Sequence, residues 1–233
     1  MSQIYITDEP TPLPERLRAS SESLQKLYPD KRYTLYNLED LRMLIEKCFD
    51  SSVLKAFDAL VPYAYKADLG RFCILYAFGG WYFDIGITGH QRVDISPNVD
   101  ALFFRDRQRF SKSSWSVAGG MIYARPGNPI FIDAIRRVIE NINNNFYGVT
   151  PLCPVGPTLI GQAIANFGTS ERLIFGDFMD LTPIHPIPNT AFVLPNGEIS
   201  AWAKRAKGGD LSALGTKGGN DYNILWRERK IYR

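Results

Sequence analysis

Two aspartates and an arginine stand out in the stretch from Tyr65 to Ile87, which is otherwise rich in apolar and aromatic residues. Asp68 and Arg71 are three residues apart in a helix-like segment, so both side chains project from one helical face. Asp84 lies in a run of aromatic and β-branched residues that is typical of a buried strand. A buried carboxylate must be protonated, paired or bound to a ligand, because burying it bare costs several kcal/mol. The three side chains therefore predict either an internal ion pair or a site for a cation or for hydroxyl groups.

The elements that position these side chains are a helix, a glycine stop and a strand. Gly79 and Gly80 stand where a helix C-cap needs a left-handed residue. Residues 81–87 then predict a central strand that contains Asp84. In an open α/β sheet, ligands bind at the carboxyl ends of strands, and the prediction places Asp84 there. Taken alone, the residues leave a structural Asp84–Arg71 ion pair and a ligand site equally open.

The order of elements in the first hundred residues predicts an α/β fold. Residues 4–7 and 32–36 predict strands, and residues 13–28 and 38–49 predict amphipathic helices, the second of them capped by Asn37. Strands that alternate with helices are typical of a parallel or mixed sheet with helices on its faces. The 233 residues suffice for one such domain, and no repeat or linker divides them.

The second part of the chain continues this pattern less regularly. Strands are expected at residues 101–104, 113–118 and 121–124 and at short stretches within 174–195, and helices at 129–143 and from 157 to about 166.

The composition limits the classes of function and the cellular compartment that the sequence predicts. The net charge of +3 is too small to indicate a nucleic-acid partner. The three cysteines form no CxxC pair, which predicts reduced thiols and a cytoplasmic protein. Neither a secretory signal nor a membrane-spanning stretch is visible in the sequence. Peripheral attachment at the inner face of a membrane stays open.

The C-terminal part combines basic side chains with glycine. Lys204, Arg205, Lys207 and Lys217 lie among glycines at 208–209 and 218–219. A flexible backbone with local positive charge can wrap an anion such as a diphosphate, although a solvated mobile loop has the same composition.

The segment YKADLGRFCILYAFGGWYFDIG resembles the central signature of glycosyltransferases that carry the DXD sugar-binding motif. This group contains the family 32 enzymes and capsular polysaccharide synthesis proteins, and the large clostridial glucosylating toxins share a related version. Asp68, Arg71, Gly79, Gly80 and Asp84 occupy the positions of the family pattern. The segments GGMIYARPGNPIFIDAI and GPTLIGQAI resemble later elements of the same family.

The resemblance implies a GT-A fold, a Rossmann-like mixed sheet flanked by helices in a single domain of residues 1–233. Residues 1–100 would form the nucleotide-sugar-binding half, and residues 101–233 would form the acceptor half with the basic, glycine-rich loop.

The resemblance also implies roles for single residues. Asp68 and Arg71 would contact hydroxyls of the donor sugar, and Asp84 would contact the ribose or a metal-bound water, with Arg71 and Asp84 taking part in catalysis. The expected nucleotide-sugar-binding residues are Thr7, Asp68, Arg71, Gly79, Gly80, Asp84 and Lys217.

The chain departs from the family pattern at Gly86, which replaces the second aspartate of DXD. On a strand, residues two apart point to one face, so only Asp84 would face the diphosphate. A divalent cation, Mn²⁺ or Mg²⁺, remains expected but in doubt, with Asp221 or Asn220 as candidates to complete its ligands beside Asp84. Alternatively, basic residues of the 204–217 loop neutralise the diphosphate, or only binding remains.

The leading hypothesis is a glycosyltransferase that moves a sugar from a nucleotide-sugar to a glycan or lipid-linked acceptor. The resemblance implies surface polysaccharide synthesis, of capsule or lipopolysaccharide, with retention of anomeric configuration. Two other hypotheses stay open: a degenerate transferase fold that binds nucleotide-sugar without turnover, and a plain structural α/β module in which Asp84 and Arg71 form an internal salt bridge.

Overall fold

The structure is a computed structural model that describes residues 1–107, 113–168, 170–181, 189–203 and 211–233. The strands are β1 (Ser2–Ile4), β2 (Thr34–Tyr36), β3 (Gly80–Phe83), β4 (Thr88–Gly89), β5 (Ala101–Arg105), β6 (Met121–Ala124), β7 (Leu173–Asp180), β8 (Thr190–Val193) and β9 (Ile199–Trp202). The helices are α1 (Glu15–Leu27), α2 (Leu38–Cys48), α3 (Ser51–Ala59), α4 (Tyr63–Phe78), α5 (Pro129–Asn143), α6 (Pro157–Phe167) and α7 (Tyr222–Arg227), with a 3-10 turn at Ser212–Leu214. None of the described helices is long and apolar enough to span a membrane.

The described strands form one mixed sheet in the order β2-β1-β3-β6-β5-β7-β8-β9-β4. β1 is parallel to β2 and β3, while β6 is antiparallel to both β3 and β5. Since β6 opposes both neighbours, β3 and β5 run in the same direction and their carboxyl ends meet at one edge. The predicted α/β fold, a mixed sheet flanked by helices, is confirmed.

Helix α4 lies at the centre of the larger apolar core and positions the site. Leu69, Phe72 and Cys73 on this helix are almost completely buried. The helix ends at Gly79, whose φ of 64° is the left-handed conformation that favours glycine. A Cβ at this position would lie 2.5 Å from the backbone nitrogen of Pro126, so the site tolerates no side chain.

The strand predicted over residues 81–87 is shorter than expected. β3 ends at Phe83, and the chain turns at residues 85–86, where the Ile87 amide donates to the Asp84 carbonyl at 3.2 Å. Gly86 has a φ of 89°, which a strand residue does not adopt. The expectation that Asp84 and Gly86 point to one face of a strand is therefore wrong. Asp84 instead lies at the carboxyl end of β3.

Two other strand predictions also differ from the structure. Residues 113–118 form turns rather than a strand, because the Val117 amide donates to the Pro157 carbonyl and its one β-bridge, to Arg105, is isolated. The opening strand is Ser2–Ile4 rather than residues 4–7.

Candidate active site

The site is built around Arg71, whose guanidinium lies between two carboxylates. Its Nη2 is 2.6 Å from Asp68 Oδ1 and 3.1 Å from Asp84 Oδ1. The side chain of Arg71 is 6% exposed and that of Asp68 is 13% exposed, whereas that of Asp84 is 37% exposed. Asp84 is thus the member of the cluster that solvent or a ligand can reach.

The charges in this cluster reinforce one another. Burial alone would lower the pKa of Arg71, but the negative charges of Asp84 and Asp68 raise it above its usual value. Arg71 therefore stays charged at every pH at which the protein is folded. One cation faces two carboxylates, so polar groups that donate hydrogen bonds are favoured at the open side of Asp84.

Tyr82 is a site residue that sequence reasoning missed. Its hydroxyl donates to Asp84 Oδ1 at 2.9 Å, and the guanidinium of Arg71 lies 4.9 Å above the centre of its ring. Burial, followed by the charge of Asp84, raises the pKa of Tyr82 well above 10. The phenol therefore remains a hydrogen-bond donor and holds the Asp84 carboxylate in one orientation.

Glycines allow the backbone to approach the cluster closely. A Cβ on Gly119 would lie 1.8 Å from Nη1 of Arg71, and one on Gly120 would lie 3.3 Å from Oδ2 of Asp84. The carbonyl of Gly120 also accepts the Asp84 amide at 2.7 Å. In the sequence, the Gly119–Gly120 pair before β6 is the sign of this close approach. The residues around the pair do not indicate that it contacts Asp84, which is distant in the sequence.

A further acid, the half-buried Asp106, follows β5 at the same carboxyl edge of the sheet as Asp84. The amide of Asp106 donates to the Ser116 carbonyl at 2.8 Å, and its Oδ1 accepts the Arg107 amide at 2.8 Å. Burial raises the pKa of Asp106. The charges of Asp68 and Asp106 both contribute to a raised pKa at Tyr222, mainly caused by burial, so α7 borders this side of the site.

Two of the other predicted nucleotide-sugar residues lie at the opposite end of β3 from Asp84. Gly79 and Gly80 are at the amino end of β3, opposite Asp84, where they shape the turn from α4 into the strand. The Thr7 hydroxyl donates to the Glu9 carbonyl at 2.6 Å. Lys217 is exposed, one residue before Gly218, whose carbonyl accepts the Asp8 amide at 2.7 Å. The predictions for Lys204, Arg205 and Lys207 fall outside the described residues.

The two candidate metal ligands of the C-terminal segment make structural hydrogen bonds. Asn220 Oδ1 accepts the Tyr63 amide at 2.8 Å, and its Nδ2 donates to the Val61 carbonyl at 3.0 Å. Asp221 Oδ1 accepts the Asn223 amide at 2.7 Å and so caps α7. Among the described residues no group of three or more His, Cys, Asp or Glu side chains could hold a metal ion.

Comparisons with known proteins agree with this geometry. Residues 14–100 match the family model described as a glycosyltransferase sugar-binding region containing a DXD motif. The chain is 25% identical over 174 residues to an uncharacterized glycosyltransferase of Acanthamoeba polyphaga mimivirus, which covers 75% of this chain and 67% of that protein. It is 23% identical over 158 residues to inositol phosphoceramide mannosyltransferase 3 of Schizosaccharomyces pombe (strain 972 / ATCC 24843), which covers 67% of this chain and 42% of that protein.

A solved structure shares the fold. The PaToxG glycosyltransferase superposes with a TM-score of 0.53 over 72% of this chain and 67% of that one, at 15% sequence identity. The matched region ends shortly after Asp84 and therefore contains the whole of the Asp68–Arg71–Asp84 cluster. Residues 14–100 thus match the sugar-binding region of DXD glycosyltransferases, and the chain shares its fold with a GT-A glycosyltransferase.

Proposed function

We propose that the chain transfers a sugar from a nucleoside diphosphate sugar to a hydroxyl of a glycan or lipid-linked acceptor. The observation that carries the proposal is the cluster at the carboxyl end of β3, where Arg71 holds two carboxylates and Asp84 is partly open. Ligands of open α/β sheets bind at such ends.

Each member of the cluster has a distinct task in this proposal. Asp84 Oδ2 accepts a hydrogen bond from a ribose or sugar hydroxyl, while its Oδ1 is occupied by Arg71 and Tyr82. Arg71 and Asp68 fix the sugar at the floor of the site. Arg71 Nε is buried and has no hydrogen-bond partner among the described residues, so the donor capacity of the guanidinium is not exhausted. Fixed charges that need no rearrangement stabilise the departing phosphate more effectively than water does.

A divalent cation would neutralise the diphosphate as it leaves. Asp84 offers one carboxylate oxygen, and Gly86 offers none, so the ion would depend largely on oxygens of the diphosphate and of water. We propose that any requirement for Mn²⁺ or Mg²⁺ is correspondingly weak.

The next part of the proposal concerns the acceptor and the stereochemical outcome of the sugar transfer. We place the reaction in the synthesis of a surface polysaccharide such as capsule or lipopolysaccharide, with retention at the anomeric carbon, as the family resemblance implies. The relative named as an inositol phosphoceramide mannosyltransferase supports a lipid-linked acceptor and a mannosyl donor as a second candidate within the same reaction class.

A donor panel tests the proposal. The purified protein is incubated with UDP- and GDP-sugars, with Mn²⁺ or with EDTA, and the released nucleotide and the anomeric configuration of the product are measured. We expect release from one donor, faster with an added lipid-linked or free glycan. Asp84→Ala should abolish release, whereas Asp177→Ala, which breaks an exposed ion pair with Arg105, should preserve it. Donor binding without any release would instead support the degenerate transferase fold, and the absence of both would contradict the proposal.

A further inference from the structure

Three large apolar side chains are exposed on two neighbouring elements, the loop after α5 and helix α7. Phe146 is 44% exposed and Val149 is 70% exposed, and both lie in the loop that follows α5. Ile224, on α7, is 49% exposed. Single exposed apolar residues need no explanation, but adjacent ones on two elements indicate an interaction surface.

Hydrogen bonds and ring contacts fix this loop to the C-terminal segment. Trp226 Nε1 donates to the Tyr147 carbonyl at 2.8 Å, and the Tyr232 hydroxyl donates to the Phe146 carbonyl at 2.5 Å. The guanidinium of Arg229 lies 4.4 Å from the centre of the Tyr147 ring. The loop and the segment are therefore neighbours in space.

Basic side chains border the apolar ones. Residues 222–233 contain Arg227, Arg229, Lys230 and Arg233 but a single acidic side chain, Glu228, which pairs with Lys230 at 2.9 Å. Four cations and one carboxylate leave this segment with a side-chain charge of +3. We call the set Phe146, Val149, Ile224, Arg227, Arg229 and Lys230 the basic apolar surface.

We infer that the basic apolar surface binds a lipid bilayer with anionic headgroups. Apolar tips enter the boundary between headgroups and acyl chains, while Lys and Arg stay with the phosphates, because their long stems carry the charge to the surface. The positive charge complements an anionic leaflet within a Debye length. The inference goes beyond the proposed reaction, since it concerns a surface separate from the Asp68–Arg71–Asp84 cluster.

The position of this surface is consistent with its use. The loop that begins near Phe146 continues to Gly156, where an added Cβ would lie 3.3 Å from Asp68 Oδ2. The same loop therefore connects the basic apolar surface with Asp68, and we expect a bilayer bound there to present a membrane-embedded acceptor to the candidate active site.

Vesicle flotation tests the inference. The protein is mixed with vesicles of phosphatidylcholine alone or with about one third phosphatidylserine, and the floated fraction is measured at low and at high salt. We expect at least about tenfold stronger binding to the anionic vesicles, lost at high salt. The double variants Val149→Asp/Ile224→Asp and Arg227→Glu/Lys230→Glu should each lower this binding about tenfold or more.

Matched variants on α1, α2 and α4 serve as controls. Met43→Asp/Phe78→Asp and Lys26→Glu/Lys47→Glu make the same changes at exposed positions of these helices and should bind like the wild type. Circular dichroism and donor binding in solution, unchanged in all variants, separate this result from a folding defect and from failure of the proposed reaction. Equal binding by surface and control variants, or dimerisation through these residues in light scattering, would overturn the inference.

Discussion

At the residue scale, the site depends on a charge balance that Arg71 maintains. Its guanidinium is buried against Asp68, Asp84 and the ring of Tyr82, so both carboxylates pair with the same cation. The sequence predicted this grouping, because the spacing of Asp68 and Arg71 places them on one helical face. It did not predict Tyr82 or Gly119, since their roles arise from contacts between distant parts of the chain.

Removal of the cation should destabilise the fold in a pH-dependent manner. In Arg71→Met, two neighbouring carboxylates lose their partner, and breaking such a buried pair costs roughly 3–5 kcal/mol of unfolding free energy. Without the cation, the two neighbouring carboxylates repel each other in the folded state, and the uptake of a proton relieves this repulsion. The folded variant binds more protons, so its deficit relative to wild type is largest at pH 7 and shrinks toward pH 4.

Urea denaturation of both proteins between pH 4 and pH 7 measures this deficit. Arg105→Met provides the control, because Arg105 pairs with Asp177 in an ion pair that is about half exposed on both sides. We expect that control to lose at most about 1 kcal/mol at every pH. A deficit in Arg71→Met that is independent of pH would contradict the charge-balance argument.

Gly86 offers a second test at this scale. Its φ of 89° strains any residue with a side chain, so Gly86→Asp and Gly86→Ala should both lower the free energy of unfolding by roughly 1–2 kcal/mol. Only the aspartate adds a ligand beside Asp84. We therefore expect Mn²⁺ to stimulate donor turnover more in Gly86→Asp than in wild type, by about tenfold for an added charged ligand. Identical Mn²⁺ titrations of the two variants would show that this turn does not face the diphosphate.

At the scale of elements, local signals predicted helices better than strand ends. The capping box of Asn37 and Asp40 starts α2, and Gly79 ends α4, as their local sequence indicates. The end of β3 is set instead by distant partners, because Gln3 Nε2 donates to the Asp84 carbonyl and the Gly120 carbonyl accepts the Asp84 amide. Because these partners are distant in the sequence, the residues next to Asp84 do not predict where β3 ends.

The C-terminal segment is fixed to the start of α4 by Asn220, and its loss should loosen that segment. Asn220→Ala removes the bonds to the Tyr63 amide and the Val61 carbonyl and should cost about 1–2 kcal/mol of unfolding free energy. Hydrogen exchange should accelerate in residues 211–221, and the Mn²⁺ response of turnover should not change. Asn166→Ala, at an exposed position of α6, should leave exchange as in wild type. A weaker Mn²⁺ response in Asn220→Ala would show that this residue is a metal ligand, as the sequence predicted.

At the scale of the whole molecule, the two halves expected from the sequence share one sheet. β3 pairs with β6, and β4 pairs with β9, so the strands from residues 101–233 lie between β2, β1 and β3 on one side and β4 on the other. Strand order of this kind is not readable from a single sequence, because periodicity identifies a strand but not its neighbour. We therefore expect position at the carboxyl edge of the sheet, rather than position along the chain, to decide which residues bind the nucleotide-sugar and which bind the acceptor.

Because strands from both halves form one sheet, we predict that the chain unfolds as one unit. Ile231, close to the end of the chain, is completely buried in the same core as Leu41 and Phe72. Ile231→Ala should cost about 2–5 kcal/mol and should lower the stability of both halves together, whereas Ile132→Ala, at an exposed position of α5, should cost little. Urea unfolding followed by tryptophan fluorescence and by hydrogen exchange of β1 and β8 measures the effect. Coincident transitions that shift equally in Ile231→Ala support a single domain, because a separable C-terminal half would lose stability while β1 retained its own.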